Sequence, residues 1–413
     1  MLVLGLLPAG GCGSSSGEGD SDSDIDTDSD SDTDSDTDFD TDTDTDTEFP
    51  LCDPAIGFVT PVPVCSEANP CTELLPSYVE LGLEQIAEPG FRPICSTPSW
   101  AQDKGHAYYW DGPPKSWVDP GDPHGVTRYS CEFRPDGADA SSPRPLLLYV
   151  HGSGGSARTV YAATSLRTKA IDQDLSGDPQ RPGFVLVAPQ SRNLHWPTKD
   201  PQDGAKHDTF HRSLGTNSTN PDLRFYDHLV DTLVDEGVVD PARIYIMGWS
   251  NGARFAATYA IARHATPTPG GNHVTAVANY SGGDPFENTR HDQVPSCKQD
   301  PYPTSAVPFW LTSRSCDGVV CSQALADQWL AAEIPVSPGN VAETWIATLR
   351  EVIGDPHVTW DLVDDEALPA DACDPDCTIA RAVENHIYWP DGIDDGSNND
   401  REPLMLEFLR GHP

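Results

Sequence analysis

The sequence predicts an α/β fold, a mostly parallel sheet with helices on both of its faces. Three observations predict it. From about Gly125 onward, short apolar runs alternate with stretches of helical period, the rhythm of strand, crossover helix and next strand. The runs themselves, such as Leu146–Val150 and Ile244–Met247, are apolar at every position, which fits strands buried on both faces. Finally, Gly248-Trp249-Ser250-Asn251-Gly252 joins the second of these runs to a small-residue segment, Ala253–Ala260, that reads as a helix lying close on a sheet. In so tight a turn a side chain at either flanking glycine would strike neighbouring backbone, and the central residue is strained. The turn therefore lifts the hydroxyl of Ser250 clear of the sheet, at the N-terminus of a helix.

Three segments precede this pattern. Residues 1–12 are apolar and uncharged and end Ala9-Gly10-Gly11-Cys12, which reads as a lipoprotein signal whose cysteine becomes lipid-modified. The run is too short to span a bilayer, so a lipid on Cys12 is the expected membrane contact. Residues 13–48 are nearly all Ser, Thr, Gly and Asp, with Asp at every even position from 20 to 46. Charges at alternate residues repel and, apart from Ile25 and Phe39, nothing apolar is present to bury, so a disordered tether is expected. Residues 49–124 carry Cys52, Cys65, Cys71 and Cys95, many prolines and one short helical candidate, Tyr78–Ile86. Such a stretch builds little core alone and reads as a disulfide-stapled extension packed on the main domain, residues 125–413.

Within that domain Val126–Phe133 reads as an edge strand and Leu146–Val150 as a buried one, followed at once by His151-Gly152-Ser153-Gly154-Gly155. A helix is expected over Thr159–Ile171 and a strand over Phe184–Ala188. Asn220-Pro221-Asp222 supplies a cap, a first-turn proline and an acid at the positive end of a helix dipole. Leu223, Tyr226, Val230, Leu233 and Val234 then line one face until Gly237. Further strands are expected at Arg243–Met247, Val274–Tyr280, Val307–Thr312 and Val358–Val363, with helices at Ser322–Ala332 and Glu402–Arg410.

Composition narrows the function. The formal charge is -40, and residues 1–49 hold 16 acids and no Lys or Arg, so the remainder still carries -24. A surface this acidic argues against nucleic acid as a partner. The eleven cysteines show no paired C-x-x-C spacing of a zinc site. With Cys12 set aside, ten remain, enough for five disulfides in an oxidising compartment, though spacing does not give their connectivity. Neither a metal nor an organic cofactor is expected. Asp391, Asp394, Asp395 and Asp400 match no calcium-binding loop and read as a solvated acidic loop.

A serine hydroxyl becomes a useful nucleophile only with a base in reach, a group to orient that base, and donors for the developing oxyanion. On this topology the chain order is serine, acid, histidine. Asp317 fits the acid because it follows the Val307–Thr312 strand closely, and Asp284, after the preceding strand, is the rival. Cys316 and Cys321 bracket Asp317 and would pin its loop if they pair. Of 13 histidines, His386 lies between the last strand and the terminal helix, where the base belongs. The backbone N–H groups of Asn251 and Ser153 are the candidate oxyanion donors, and His151 is expected to brace the loop that carries Ser153. Trp196, Trp310, Tyr388 and Trp389 are aromatic candidates for a substrate pocket, with Trp196 and Trp389 foremost.

Tyr149-Val150-His151-Gly152, Val239-Asp240-Pro241-Ala242-Arg243 leading into the serine turn, and His386 followed by Trp389-Pro390 together carry a resemblance. From about Val126 to its end the chain resembles the α/β-hydrolase esterases that include polyhydroxybutyrate depolymerases, feruloyl esterases and acetylxylan esterases. The resemblance implies extracellular hydrolysis of carboxylic esters through an acyl-enzyme, with Ser250 as nucleophile, Asp317 as acid and His386 as base. Serine in the loop after His151-Gly152, where many depolymerases have cysteine, is a departure, as are the cysteine-rich extension and the insert around Asn193–Thr219. Two other readings stay open: a serine peptidase of the prolyl-oligopeptidase kind, and a surface lipoprotein that binds polysaccharide or polyester without turnover.

Overall fold

The structure is a computed structural model and describes residues 92–121, 125–195, 203–209, 220–285, 305–314, 317, 342–363, 385–393 and 400–413. The signal and tether segments, the helices expected at 78–86 and 322–332, Trp196, and every cysteine but Cys95 and Cys131 lie outside the described residues.

Ten strands are described: β1 (Lys115–Val118), β2 (Thr127–Phe133), β3 (Arg144–Val150), β4 (Val185–Pro189), β5 (Arg192–His195), β6 (Asp203–Lys206), β7 (Val239–Trp249), β8 (Ala276–Tyr280), β9 (Phe309–Arg314) and β10 (Val358–Val363). Eight of them form one sheet in the order β1-β2-β4-β3-β7-β8-β9-β10, while β5 and β6 form a separate antiparallel hairpin. β2 runs antiparallel to both β1 and β4, and every other pairing in the large sheet is parallel. This is the α/β-hydrolase fold expected from the sequence. Strand order reverses about β3, which lies between β4 and β7, and this brings the loop after β3 beside the turn after β7. Crevices for ligands form at such switch points, at the carboxyl ends of the strands.

The apolar runs are explained by two cores. Successive side chains of a strand point to opposite faces. Leu146, Leu148 and Val150 of β3 pack with α4 (Pro221–Asp235), α5 (Asn251–Ala265) and α6 (Ala342–Ile353), through Leu223, Phe255 and Trp345 among others. Leu147 and Tyr149 face the opposite core with α2 (Thr159–Ala162), α3 (Leu166–Lys169) and α7 (Glu402–Arg410), through Val160, Leu166 and Met405. All seven residues of β3 are buried. Its one charged member, Arg144, donates from Nε to the Pro182 carbonyl at 3.2 Å. The start of α4 is capped as the sequence suggests: Asn220 Oδ1 accepts from the N–H of Asp222 at 2.9 Å and of Leu223 at 3.2 Å.

Four features differ from the sequence reading. β2 is not an edge strand, because β1 covers it, so the sheet begins at Lys115, inside the stretch read as the extension. That stretch, which holds the short helix α1 (Ser99–Lys104), is also tied to β2 by a disulfide between Cys95 and Cys131. The helix expected over 159–171 is broken into α2 and α3. Thr164 Oγ1 takes the Val160 carbonyl at 2.7 Å and accepts the Leu166 N–H at 3.3 Å, while the Ser165 N–H leaves for Glu402 at 2.9 Å. Side-chain oxygens thus replace the helical ladder at that point. α6 was not anticipated, although Ala342, Trp345, Ile346 and Leu349 recur at helical spacing on its buried face. The β5–β6 hairpin, within the insert, was not anticipated either. No helix among the described residues is long and apolar enough to cross a membrane.

Candidate active site

Ser250 stands between β7 and α5 with φ 57° and ψ -121°, a conformation that non-glycine residues rarely adopt. The glycines on either side make it possible. A Cβ on Gly248 would lie 2.3 Å from the Gly252 carbonyl oxygen, and one on Gly252 would lie 2.2 Å from the Val150 carbonyl oxygen. Strand, turn and helix are therefore packed backbone to backbone. The Ser250 N–H donates to the Tyr280 carbonyl at 3.1 Å, which anchors the turn to β8.

His386 and Asp317 meet the serine from distant parts of the chain. His386 Nε2 is 2.7 Å from Ser250 Oγ, and His386 Nδ1 is 3.0 Å from Asp317 Oδ1. A carboxylate at Nδ1 holds the ring N–H on that side and leaves the Nε2 lone pair facing the hydroxyl. Asp317 is fully buried, whereas the His386 side chain is 22% exposed, so the ring can be reached from outside. The rival acid, Asp284, is buried and its backbone carbonyl accepts from Arg254 Nε at 3.1 Å and from an Arg254 terminal nitrogen at 2.6 Å, whereas the carboxylate placed at His386 Nδ1 is that of Asp317.

The segment carrying His386, helical over residues 385–387, is fastened to three strand ends. Trp249 Nε1 donates to the His386 carbonyl at 2.8 Å, Tyr280 donates its hydroxyl to the Asn385 carbonyl at 2.5 Å, and Arg314 Nε donates to that tyrosine oxygen at 3.0 Å. None of these three was singled out from the sequence: Tyr280 reads there as the last residue of a strand, and Trp249 and Arg314 lie just past the strands expected at Arg243–Met247 and Val307–Thr312. A fourth unanticipated neighbour is Ser281, whose Oγ lies 2.6 Å from Asp317 Oδ2 and 2.5 Å from His386 Nδ1.

Of the proposed oxyanion donors, Asn251 is the first residue of α5, where helix geometry leaves N–H groups without an intrahelical acceptor. Its side chain is turned to other work. Asn251 Oδ1 accepts the His207 N–H at 2.8 Å, and Nδ2 donates to the His207 carbonyl at 3.3 Å. Ser153 is exposed in the loop after β3. Its neighbour Gly154 donates its N–H to the Ala205 carbonyl of β6 at 2.8 Å. The segment that begins with β6 therefore holds both the glycine-rich loop and the residue after Ser250.

His151 braces this loop from beneath. Its Nδ1 lies 2.8 Å from the Gly152 carbonyl, and its Nε2 accepts the Ser191 N–H at 3.2 Å, so the proton sits on Nδ1. Burial pushes the imidazole down from 6.5 to about 4. Buried His207, stacked on Phe255 with centroids 5.3 Å apart, is pushed well down for the same reason. Both rings are held neutral by the fold. An unfolded histidine takes up its proton near 6.5, so stability is full above that pH and is lost as pH falls toward the folded value. Going from pH 7 to pH 5, His151 is expected to remove about 2 kcal/mol of stability. Urea unfolding of wild type and His151→Gln at the two pH values checks this, with a shallower acid loss expected in the variant.

The aromatic candidates fall differently. Trp389 is 0% exposed and belongs to the core, with its indole N–H donated to Glu402 Oε1 at 2.7 Å. Its expected place on a substrate surface is therefore corrected: the rings of Tyr149, Tyr280 and Trp249 surround it, and its one polar atom is used internally. Trp310 is half-buried, packs on Phe408 and donates Nε1 to Thr312 Oγ1 at 2.8 Å, and Tyr388 is half-buried beside His386. Among the described residues no three His, Cys, Asp or Glu side chains are grouped so as to hold a metal ion.

Among solved structures, the chain is similar to a thermostable esterase at 18% identity and a TM-score of 0.40, over 73% of this chain and 63% of that one. It thus spans less than two thirds of that esterase. It is also similar to an acetyl xylan esterase from Aspergillus awamori, at 17% identity and a TM-score of 0.34, over 51% of this chain and 75% of that one. A dipeptidyl peptidase 4 from Porphyromonas gingivalis is similar at 13% identity and a TM-score of 0.35, over 74% of this chain and 36% of that one. No protein-family model and no curated protein matches the chain.

Proposed function

We propose that this protein is a serine carboxylic-ester hydrolase that works through an acyl-enzyme. The observation that carries the proposal is the single line of contacts from Asp317 through both ring nitrogens of His386 to Ser250 Oγ, at 3.0 and 2.7 Å. His386 Nε2 takes the hydroxyl proton as Ser250 Oγ attacks the ester carbonyl carbon. The oxyanion is held by the amides of Ser153 and Asn251, and Asp317 steadies the imidazolium. The imidazolium then gives its proton to the departing alcohol, and water, deprotonated by His386, releases the acid and restores the serine.

The proposed setting is outside the cell, either secreted or lipid-anchored through Cys12. The Cys95–Cys131 disulfide supports an oxidising compartment. Esters of polyhydroxyalkanoates or of plant polysaccharides are the proposed substrates, on the residues shared with that esterase family. The β5–β6 hairpin, beside the oxyanion loop, lies where substrate choice is made on such folds.

The test is turnover of short p-nitrophenyl esters, with labelling of Ser250 by a fluorophosphonate located by peptide mass. Parallel assays use peptide anilides and a panel of hydroxybutyrate, acetyl-sugar and feruloyl esters. Ester turnover with Ser250 labelled is the expected result. Turnover of anilides alone would establish the peptidase instead, and no labelling would leave a binding protein.

A further inference from the structure

We infer that Ser281 is a positioning residue of the same site, holding the His386 imidazole and the Asp317 carboxylate in register. The inference rests on the serine-hydrolase reading above and adds to it a residue outside the Ser250, His386 and Asp317 set.

Ser281 follows β8 directly and is fully buried. Its φ is 52°, and among the described residues only Ser250 shares a positive φ without being glycine. The backbone is held there from two sides. The Ser281 N–H donates to the Thr312 carbonyl of β9 at 2.9 Å. The next residue, Gly282, fits so closely on α5 that a Cβ would lie 2.8 Å from Ala253 Cβ. Glycine would adopt the Ser281 conformation without strain, and a buried hydroxyl needs a partner. Folding alone therefore does not favour serine at this position. What the hydroxyl touches does account for it.

Ser281 Oγ is 2.6 Å from Asp317 Oδ2 and 2.5 Å from His386 Nδ1, while Asp317 Oδ1 is 3.0 Å from the same nitrogen. The hydroxyl has one proton, and the carboxylate, which can only accept, takes it. The oxygen lone pair then faces the imidazole N–H. That N–H meets two acceptors, and the hydroxyl is the nearer one. When the ring gains charge on removing the proton of Ser250, both bonds strengthen. An acceptor already fixed by a rigid turn needs no reorganisation at that moment. Ser281 itself stays remote from the reacting atoms and acts through His386.

Two variants test this, Ser281→Gly and Ser281→Ala. Both remove the hydroxyl; glycine also relieves the backbone, and thermal melting checks that each folds. On a p-nitrophenyl ester, kcat is expected to fall about tenfold with KM within about twofold. Fluorophosphonate labelling of Ser250 should slow by a similar factor. Loss of the nearer acceptor weakens the protonated ring, so the acid limb of the kcat/KM profile should move about half a unit to lower pH. Unchanged kcat, labelling rate and pH profile in Ser281→Gly would overturn the inference while leaving the hydrolase reading intact. An acid limb moved to higher pH would also overturn it, as would loss in Ser281→Ala alone, since the backbone would then be responsible. A wild type that neither hydrolyses esters nor labels at Ser250 would reject the hydrolase reading, and this inference with it.

Discussion

Ser250→Ala is expected to lower kcat for p-nitrophenyl esters by roughly 10⁶-fold, the loss typical of removing a serine nucleophile that works with a histidine. The reason is that no other group can replace the attacking oxygen. The imidazole of His386 would remain, 2.7 Å from an atom no longer there, with Asp317 still at its far side. The fold should survive, because the substitution removes one oxygen from a half-exposed turn whose shape is set by Gly248 and Gly252. A stability change within about 1 kcal/mol is therefore expected. The pair of measurements is turnover and chemical unfolding on the same preparation. A variant that folds and still turns over would remove Ser250 from the mechanism. One that unfolds would show that the hydroxyl matters to the turn.

Trp389→Ala carries the largest expected effect on stability. The indole lies at 0% exposure, with ring centroids of Tyr280 and Tyr149 5.5 and 5.6 Å away in edge-on contact. Truncation leaves a large cavity among rigid aromatic neighbours that cannot close it. It also takes a donor from Glu402, a fully buried carboxylate whose Oε2 pairs with Lys169 Nζ at 2.7 Å and which burial pushes up to about 7. The expected loss is about 3–5 kcal/mol, seen as a fall in Tm of roughly 8 °C. Trp389→Phe should fall between wild type and Trp389→Ala, since it keeps one ring of packing and loses the N–H and part of the indole's volume. Had Trp389 lined a substrate pocket, KM would rise with Tm unchanged, so the two roles separate in one experiment.

Much of this architecture can be read residue by residue along the chain. Strands buried on both faces must be apolar throughout, as Leu146–Val150 is, and a helix start needs its own cap, as Asn220 supplies. The serine turn is equally local: two glycines, a strand before and a helix after, within a few residues. These features are legible because their causes, steric clash and hydrogen bonding to near neighbours, act over short stretches of backbone.

Other features depend on which strand lies beside which, and no short stretch of chain encodes that. Ser281 reaches Asp317 and His386 across 36 and 105 residues because β8 lies between β7 and β9 and all three end at the same edge. Trp249, Tyr280 and Arg314 hold the His386 segment for the same reason. The break between α2 and α3 is completed by a carboxylate 237 residues away, beside the local Thr164 hydroxyl, and Trp389 is core rather than pocket because α7 brings that same Glu402 to its indole. Local sterics and burial settle what each segment becomes. The order in which the segments pack settles which side chains meet, because contacts made across a sheet carry no signature in the spacing of the residues that make them.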